Sequence, residues 1–221
     1  MKRKQQMSDT FLIGALLAVV GGFLDVYTYM CRGGVFANAQ TGNIVLMGIQ
    51  IAQGDLTSCV RYLIPILFFV LGVLLSETIG HRCKRSQSLH WRQIILLLEI
   101  LVLVAVSLIP LGRLNILANS LVSFTCALQV QSFRKFNGKA YASTMCTGNL
   151  RSATEQFFAY MVTKQPALLR QSLQYYGICG VFILGAVLGM VLTRLFAEKV
   201  IAVAWILLGL VFAMMFLKCE D

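Results

Sequence analysis

Uncharged apolar segments of bilayer-spanning length constrain this chain more than any other feature. Residues 200–217 and 175–193 contain 18 and 19 residues without a charged side chain, close to the roughly 20 apolar residues that a spanning helix needs. Four further segments have a similar character, with at most one acidic residue or an amide near an end: residues 11–31, 62–80, 94–111 and 116–131. The chain is also 58% apolar and only 13% charged. We therefore predict an all-α polytopic membrane protein with six spanning helices.

The basic residues are distributed in a way that predicts membrane topology. The formal net charge is +10, and Lys and Arg cluster between the hydrophobic segments, where the positive-inside rule places them. No basic surface interleaved with aromatic residues is present outside the apolar segments, so a nucleic-acid partner is not predicted. The lipid bilayer is the predicted environment.

Residue types that carry common enzyme chemistry do not form recognisable motifs. The seven cysteines are scattered without C-x-x-C spacing, which predicts neither a disulfide framework nor a zinc site. Neither H-E-x-x-H nor G-x-S-x-G is present, and no glycine loop for phosphate is found. We predict no enzymatic activity, no catalytic residue, no metal and no cofactor.

A repeated tripeptide divides the chain into two related halves. Thr41-Gly42-Asn43 recurs as Thr147-Gly148-Asn149, and a polar residue, Asp25 or Gln131, stands sixteen positions before each Thr. Each tripeptide is followed by a span containing Phe-x-x-Gly, at residues 69–72 and 182–185. We predict one membrane domain made of a first repeat, residues 1–113, and a second repeat, residues 114–221. The second is seven residues longer after its tripeptide, an insertion that we assign to residues 164–170.

The charges also indicate how the tripeptide segments meet the membrane. If both segments crossed it and the N-terminus were inside, 8 Lys and Arg would be inside and 10 outside; an outside N-terminus gives 10 inside and 8 outside. If residues 35–53 and 141–163 instead enter and return on the same side, the distribution becomes 13 inside and 5 outside. The rule favours this six-span arrangement, with both termini cytoplasmic. Three spans per half then make the repeats inverted, a recurring plan of secondary transporters.

The tripeptide segments carry the predicted binding site. Thr or Asn can cap a helix and Gly permits a sharp turn, so each tripeptide suits the start of a half-helix at membrane depth. Such starts favour small anionic or polar solutes. The predicted substrate-binding residues are these: Asp25, Thr41, Gly42, Asn43, Gln131, Thr147, Gly148, Asn149 and Arg151. The alternative is that Gly and Asn simply kink two packed helices.

Asp25 is an acidic residue inside a span, which makes it a functional hypothesis by default. Arg151 could be its counter-charge across the two repeats, or Arg151 could instead pair with Glu155 on the same helix. Glu99 is a second acidic residue within a span, for which a functional role is less strongly indicated.

The residues around the first tripeptide resemble a known family. Gly22-Phe23-Leu24-Asp25, followed by Gly34-Val35-Phe36 and Thr41-Gly42-Asn43, is similar to the YoaK family of bacterial membrane proteins. In the second half, Ala127-Leu128-Gln129 and Thr147-Gly148-Asn149 continue the resemblance. It implies a multi-pass protein of the bacterial inner membrane and no particular activity, since the family is of unknown function.

Two functions fit these observations. The first is a small-solute transporter or channel with its site between the tripeptides. The second is a membrane scaffold or regulatory subunit, in which the repeat is architectural and the basic loop at residues 81–92 docks a partner or anionic lipid. The small residues of Gly185-x-x-x-Gly189 would permit a homodimer in either case.

Overall fold

The computed structural model describes residues 7–83 and 90–216, and nearly all of them are helical. The helices are α1 (Phe11–Cys31), α2 (Gln40–Ala52), α3 (Leu56–Cys83), α4 (Trp91–Ser107), α5 (Asn115–Ser132), α6 (Cys146–Thr163), α7 (Pro166–Phe196) and α8 (Ala202–Met214). Short 3₁₀ turns occupy Met7–Asp9 and Ala197–Ile201, and a small hairpin joins β1 (Lys135–Phe136) to β2 (Lys139–Ala140). The structure therefore agrees with the predicted all-α membrane protein.

The apolar helices match most of the predicted spans. Three helical stretches among the described residues are long and apolar enough to cross a bilayer: Phe11–Cys31, Leu56–Cys83 and Pro166–Met214, the last containing α7 and α8. The predicted span at 94–111 is shorter in the structure, because α4 ends at Ser107 before Pro110, which cannot continue a helix. The predicted span at 116–131 is the amide-rich α5, and the end of the predicted 200–217 span lies outside the described residues.

Helix α1 runs alongside α7 in the same direction. A Cβ on Gly177 would lie 3.4 Å from the Phe11 ring, and one on Gly189, twelve residues further along α7, would lie 3.1 Å from the Phe23 carbonyl oxygen. Between these levels, Gly22 packs directly on the Phe182 carbonyl. Contacts that advance together along both helices define a parallel pair.

Helix α3 pairs with α5 in the same way. A Cβ on Gly72 would lie 2.6 Å from the Phe124 carbonyl oxygen, so the backbones touch where α3 carries no side chain. One turn further along, the Ser76 and Ser132 hydroxyls are 2.8 Å apart. Helices α3 and α5 are therefore also parallel, and this pair is the counterpart in the repeat of the pair formed by α7 and α1.

Two arginines, the buried Arg32 and the partly buried Arg92, tie the helix ends together at opposite ends of the bundle. At the end that we call the near side, Arg92 donates from Nη1 to Asp9 and from Nε to the Ser132 carbonyl, each at 2.9 Å. At the end that we call the far side, Arg32 donates from Nη2 to the Ile109 carbonyl at 2.8 Å. Arg32 is only 1% exposed, so its hydrogen bonds to carbonyls compensate for the loss of water.

The positions of these arginines define the directions of α1, α4 and α5. Helices α1 and α4 begin on the near side and end on the far side, and α5 runs back from Asn115 to Ser132. By their pairing, α7 follows α1 toward the far side and α3 follows α5 toward the near side. Helix α8 packs on α4 and α1, and the apolar core lies among these three helices and α5.

Candidate functional site

The chain after α1 folds back into the middle of the bundle before α2 begins. Asn38 donates from Nδ2 to the Gly21 carbonyl at 2.8 Å and from its backbone N–H to Asp25 Oδ1 at 2.7 Å. Helix α2 starts two residues later and runs back beside the first turns of α3, where Cys59 Sγ lies 3.9 Å from the Met47 carbonyl. This segment thus enters from the far side and returns toward it.

The segment after α5 makes the matching excursion from the near side. A Cβ on Gly21 would lie 2.9 Å from the Ser143 carbonyl oxygen, and Gln129 donates to Ser143 Oγ at 3.0 Å. Helix α6 begins at this level and runs outward beside α7, where Ser172 donates to the Ala153 carbonyl at 2.8 Å. Gly21 therefore contacts both entering segments, and α2 and α6 begin on either side of it.

The two tripeptide asparagines make equivalent hydrogen bonds. Asn43 accepts from the Phe36 N–H at 3.0 Å and donates to the Phe36 carbonyl at 2.8 Å. Asn149 does the same to Ala142, at 3.1 and 2.7 Å. Both carboxamides are almost fully buried. Each asparagine thus joins the entering segment to the helix that follows it, and its polar atoms bond within the chain.

The threonines and glycines of the tripeptides face outward. Thr41, Thr147 and Gly148 are exposed, and Gly42 is partly covered by the Phe36 ring. The predicted contribution of these four residues to a central site therefore has no support in their placement, although solute binding as such stays a prediction.

Asp25 is the predicted residue that does lie at the centre. Asp25 is 9% exposed, and its Oδ1 accepts a hydrogen bond from the Asn38 backbone N–H, two residues before α2 begins. The positive end of α2 therefore stabilises the carboxylate without a basic side chain.

Of the two partners considered for Arg151, the structure shows Glu155 and not Asp25. Arg151 is 78% exposed and pairs with Glu155 four residues along α6, at 3.3 Å. Gln131 also lies away from the centre. It hydrogen-bonds Glu77 at the near-side end of α3. Gln131 was predicted to lie at the centre because the repeat aligns it with Asp25. Helix α5, however, ends only one residue after Gln131, whereas α1 continues for six residues after Asp25.

Polar residues that were not among the predicted binding residues form the centre instead. Gln40 donates to Ser123 at 2.7 Å, and Gln129 reaches both the Leu17 carbonyl and Ser143. Asn38 Oδ1 and Thr144 Oγ1 are buried, and neither has a hydrogen-bond partner among the described residues. A signal for this pair was available, because Asn38 and Thr144 each stand three positions before a tripeptide Thr.

Glu99 is buried away from this centre. It is 1% exposed, and its Oε1 has no hydrogen-bond partner in the described part of the chain. It lies on α4 between Leu96 and Leu103, both of which belong to the main apolar core.

The helices and their apolar outer faces define a multi-helical membrane protein. The comparisons with known proteins agree with this class: the family described as "Protein of unknown function (DUF1275)" matches residues 13–214, and the chain belongs to that family. It is similar to the UPF0700 transmembrane protein YoaK of Bacillus subtilis (strain 168), with 25% identity over 157 residues that cover 68% of each chain. The resemblance to the YoaK family is therefore confirmed. No solved structure matches the chain.

Proposed function

We propose that this protein is a small-solute transporter or channel built from two inverted repeats of three spans each. Helix directions support the inversion, because α1 runs toward the far side and its counterpart α5 runs back, and α7 likewise runs opposite to α3. The six spans would be α1, α3, α4, α5, α7 and α8, with α2 and α6 as re-entrant half-helices. Both termini would lie on the cytoplasmic face of a bacterial inner membrane, because the near side carries the predicted excess of basic residues.

The single observation that carries this proposal is the meeting of the two half-helices. Helices α2 and α6 enter from opposite sides and both begin beside Gly21, in the middle of α1. Half-helix ends at membrane depth are tolerated where they are buried or line a cavity, and they form binding sites in many transporters. Asp25 adds a buried carboxylate at this point. An ionisable group inside a membrane is costly, and its presence there therefore suggests a function.

The atoms at the centre favour a solute that donates hydrogen bonds. Asp25 already occupies the positive end of α2, so this end no longer attracts an anion. The two buried atoms without partners, Asn38 Oδ1 and Thr144 Oγ1, can both accept a hydrogen bond. The sequence predicted an anionic or polar solute; we propose a polar one, and we extend the proposal to cations.

Flux measurements in proteoliposomes test this function. Purified protein would be reconstituted and the uptake of radiolabelled methylammonium, choline, glycine, glycerol and acetate compared with uptake by empty liposomes. We expect at least one of the first four probes to enter faster with protein present. Asp25→Asn and Thr144→Val should reduce that flux, since the first removes the carboxylate charge and the second removes the hydroxyl from the centre.

An exposed threonine provides the matched control. Thr41→Val makes the same chemical change as Thr144→Val, but on the outer surface of α2, and should leave the flux unchanged. If no probe crosses faster than in empty liposomes, the transport proposal is contradicted and the scaffold function is favoured. Part of the basic loop on which that scaffold would rely, residues 84–89, lies outside the described residues.

A further inference from the structure

A cleft on the outer face of the bundle leads to Asp25. It has a volume of about 350 Å³ and lies between α1, α7 and the segment that enters before α2. Its walls include Tyr29, Phe36, Phe182 and Met190, and Asp25 is the one ionisable carboxylate that lines it. The cleft is thus an apolar compartment with Asp25 at its inner wall.

The cleft opens where the protein would face lipid. Tyr29 and Met30 at its rim are 46% and 50% exposed, and the neighbouring α7 residues Ile183 and Val187 are more than half exposed. A ligand in the acyl-chain region could therefore reach Asp25 sideways, without first crossing the polar interior.

The aromatic side chains are arranged to bind a flat or cationic group. The rings of Tyr29 and Phe36 are stacked with centroids 4.8 Å apart and planes 23° from parallel. Aromatic faces attract cations, and this attraction is larger where water is excluded. The flexible Met30 and Met190 side chains adapt to ligands of different shape. A carboxylate, aromatic faces and methionines together match an amphipathic organic cation.

We propose that this cleft binds an amphipathic organic cation, such as a substituted ammonium with an apolar arm, and that Asp25 is its counter-charge. The inference rests on the proposed function and names its substrate class. An anion of the same shape is rejected, since it would place like charges together in a compartment of low dielectric constant. A neutral analogue loses the ion pair and keeps only the apolar contacts.

Ligands of matched shape test this site by binding alone. Benzyltrimethylammonium would be titrated by calorimetry into the full chain in lipid nanodiscs, with empty nanodiscs subtracted. Its neutral isostere neopentylbenzene and the anion benzylsulfonate would be added as competitors. We expect saturable binding of the cation, no competition by the anion and only weak competition by the neutral compound.

Three variants locate the binding in the cleft. Asp25→Asn should weaken the affinity about tenfold or more, because it removes the counter-charge. Met190→Trp should weaken it by filling the cleft, and it leaves the carboxylate and its backbone hydrogen bonds in place. Thr57→Ala, at an exposed position in the first turn of α3 and outside the cleft, should have no effect. Thermal unfolding of each variant confirms that it is folded.

The outcomes separate this inference from the transport proposal. Saturable binding that weakens in both Asp25→Asn and Met190→Trp supports the site, whether or not any solute is transported. Absence of saturable binding to the folded wild type, unchanged affinity in folded Met190→Trp, or equal affinity for the neutral isostere overturns it. If uptake of another probe persists in that case, only the substrate class is wrong. If the cation binds but no probe is transported, only the transport proposal fails.

Discussion

At the scale of single residues, the repeated asparagines show how one motif can serve architecture rather than chemistry. Asn43 and Asn149 each close a two-way hydrogen bond to the residue seven positions earlier, Phe36 or Ala142. A carboxamide suits this pairing because it presents a donor and an acceptor on two separate atoms side by side. The repetition of the tripeptide is thus explained by a folding requirement that both entering segments share.

Replacing either asparagine should destabilise the protein. Asn43→Ala or Asn149→Ala leaves a buried N–H and a buried carbonyl without partners, at a cost of about 1–3 kcal/mol for each group. We expect the midpoint of thermal unfolding in detergent to fall clearly in both variants. Thr41→Ala and Thr147→Ala, at exposed positions of the same tripeptides, should change it little. Equal effects of the threonine and asparagine substitutions would show that the hydrogen-bond assignment is wrong.

The sequence singled out Asp25 but did not identify its hydrogen-bond partners. A lone carboxylate in an apolar segment is visible without a structure, because its burial is costly. Its hydrogen bonds come from backbone groups near Asn38, thirteen residues away, and depend on how the chain re-enters the bundle. Backbone donors leave no trace in side-chain patterns. The search for a charged partner therefore led to Arg151 as one possibility, whereas Arg151 pairs with Glu155.

At the scale of helices, glycines determine which pairs approach closely. Gly22 packs on the Phe182 carbonyl and Gly185 on the Val19 carbonyl, so α1 and α7 touch backbone to backbone. The Gly185-x-x-x-Gly189 pattern was read from the sequence as permission for a homodimer. In the structure both glycines face α1 of the same chain, so this pattern is used internally. The homodimer itself stays a prediction.

A methyl group at these glycines should separate α1 from α7. Gly22→Ala or Gly185→Ala places a Cβ against a backbone carbonyl that cannot rotate away, and we expect lower thermal stability and reduced yield of monodisperse protein. Gly180→Ala and Gly209→Ala are matched controls in α7 and α8, where a Cβ meets nothing within 4 Å. These controls should be neutral or slightly stabilising, by up to about 1 kcal/mol from helix propensity. A normal unfolding midpoint for Gly185→Ala would contradict the close packing.

The length difference between the halves is also explained at this scale. The sequence assigned a seven-residue insertion to residues 164–170, but the extra residues lie on both sides of a short turn. Helix α6 has 18 residues against 13 in α2, and α7 has 31 against 28 in α3. The turn between α6 and α7 is Lys164–Gln165, one residue shorter than the corresponding turn in the first half. Added residues are thus accommodated by longer helices, since helix ends can extend without disturbing the core.

At the scale of the whole molecule, hydropathy predicted more than side-chain chemistry did. The helix positions followed from the lengths of the apolar segments. The composition of the centre did not follow, because Asn38, Ser143 and Thr144 lie in irregular segments whose path is set by tertiary contacts. Such positions can be recognised once the repeat aligns the two segments, since both carry polar residues at the same place.

The account depends most on two halves that enter the membrane in opposite senses, each with a re-entrant segment. Three single cysteines, introduced into a chain whose native cysteines are replaced, distinguish this topology from both eight-span alternatives. Asp55→Cys, Lys135→Cys and Gln165→Cys are all at exposed positions that follow α2, α5 and α6, respectively. In whole cells, a membrane-impermeant maleimide should label Asp55→Cys. It should label Lys135→Cys and Gln165→Cys only after the membrane is opened. Labelling of Lys135→Cys alone, or of both Asp55→Cys and Gln165→Cys, in intact cells would show that the tripeptide segments cross the membrane and would contradict the account.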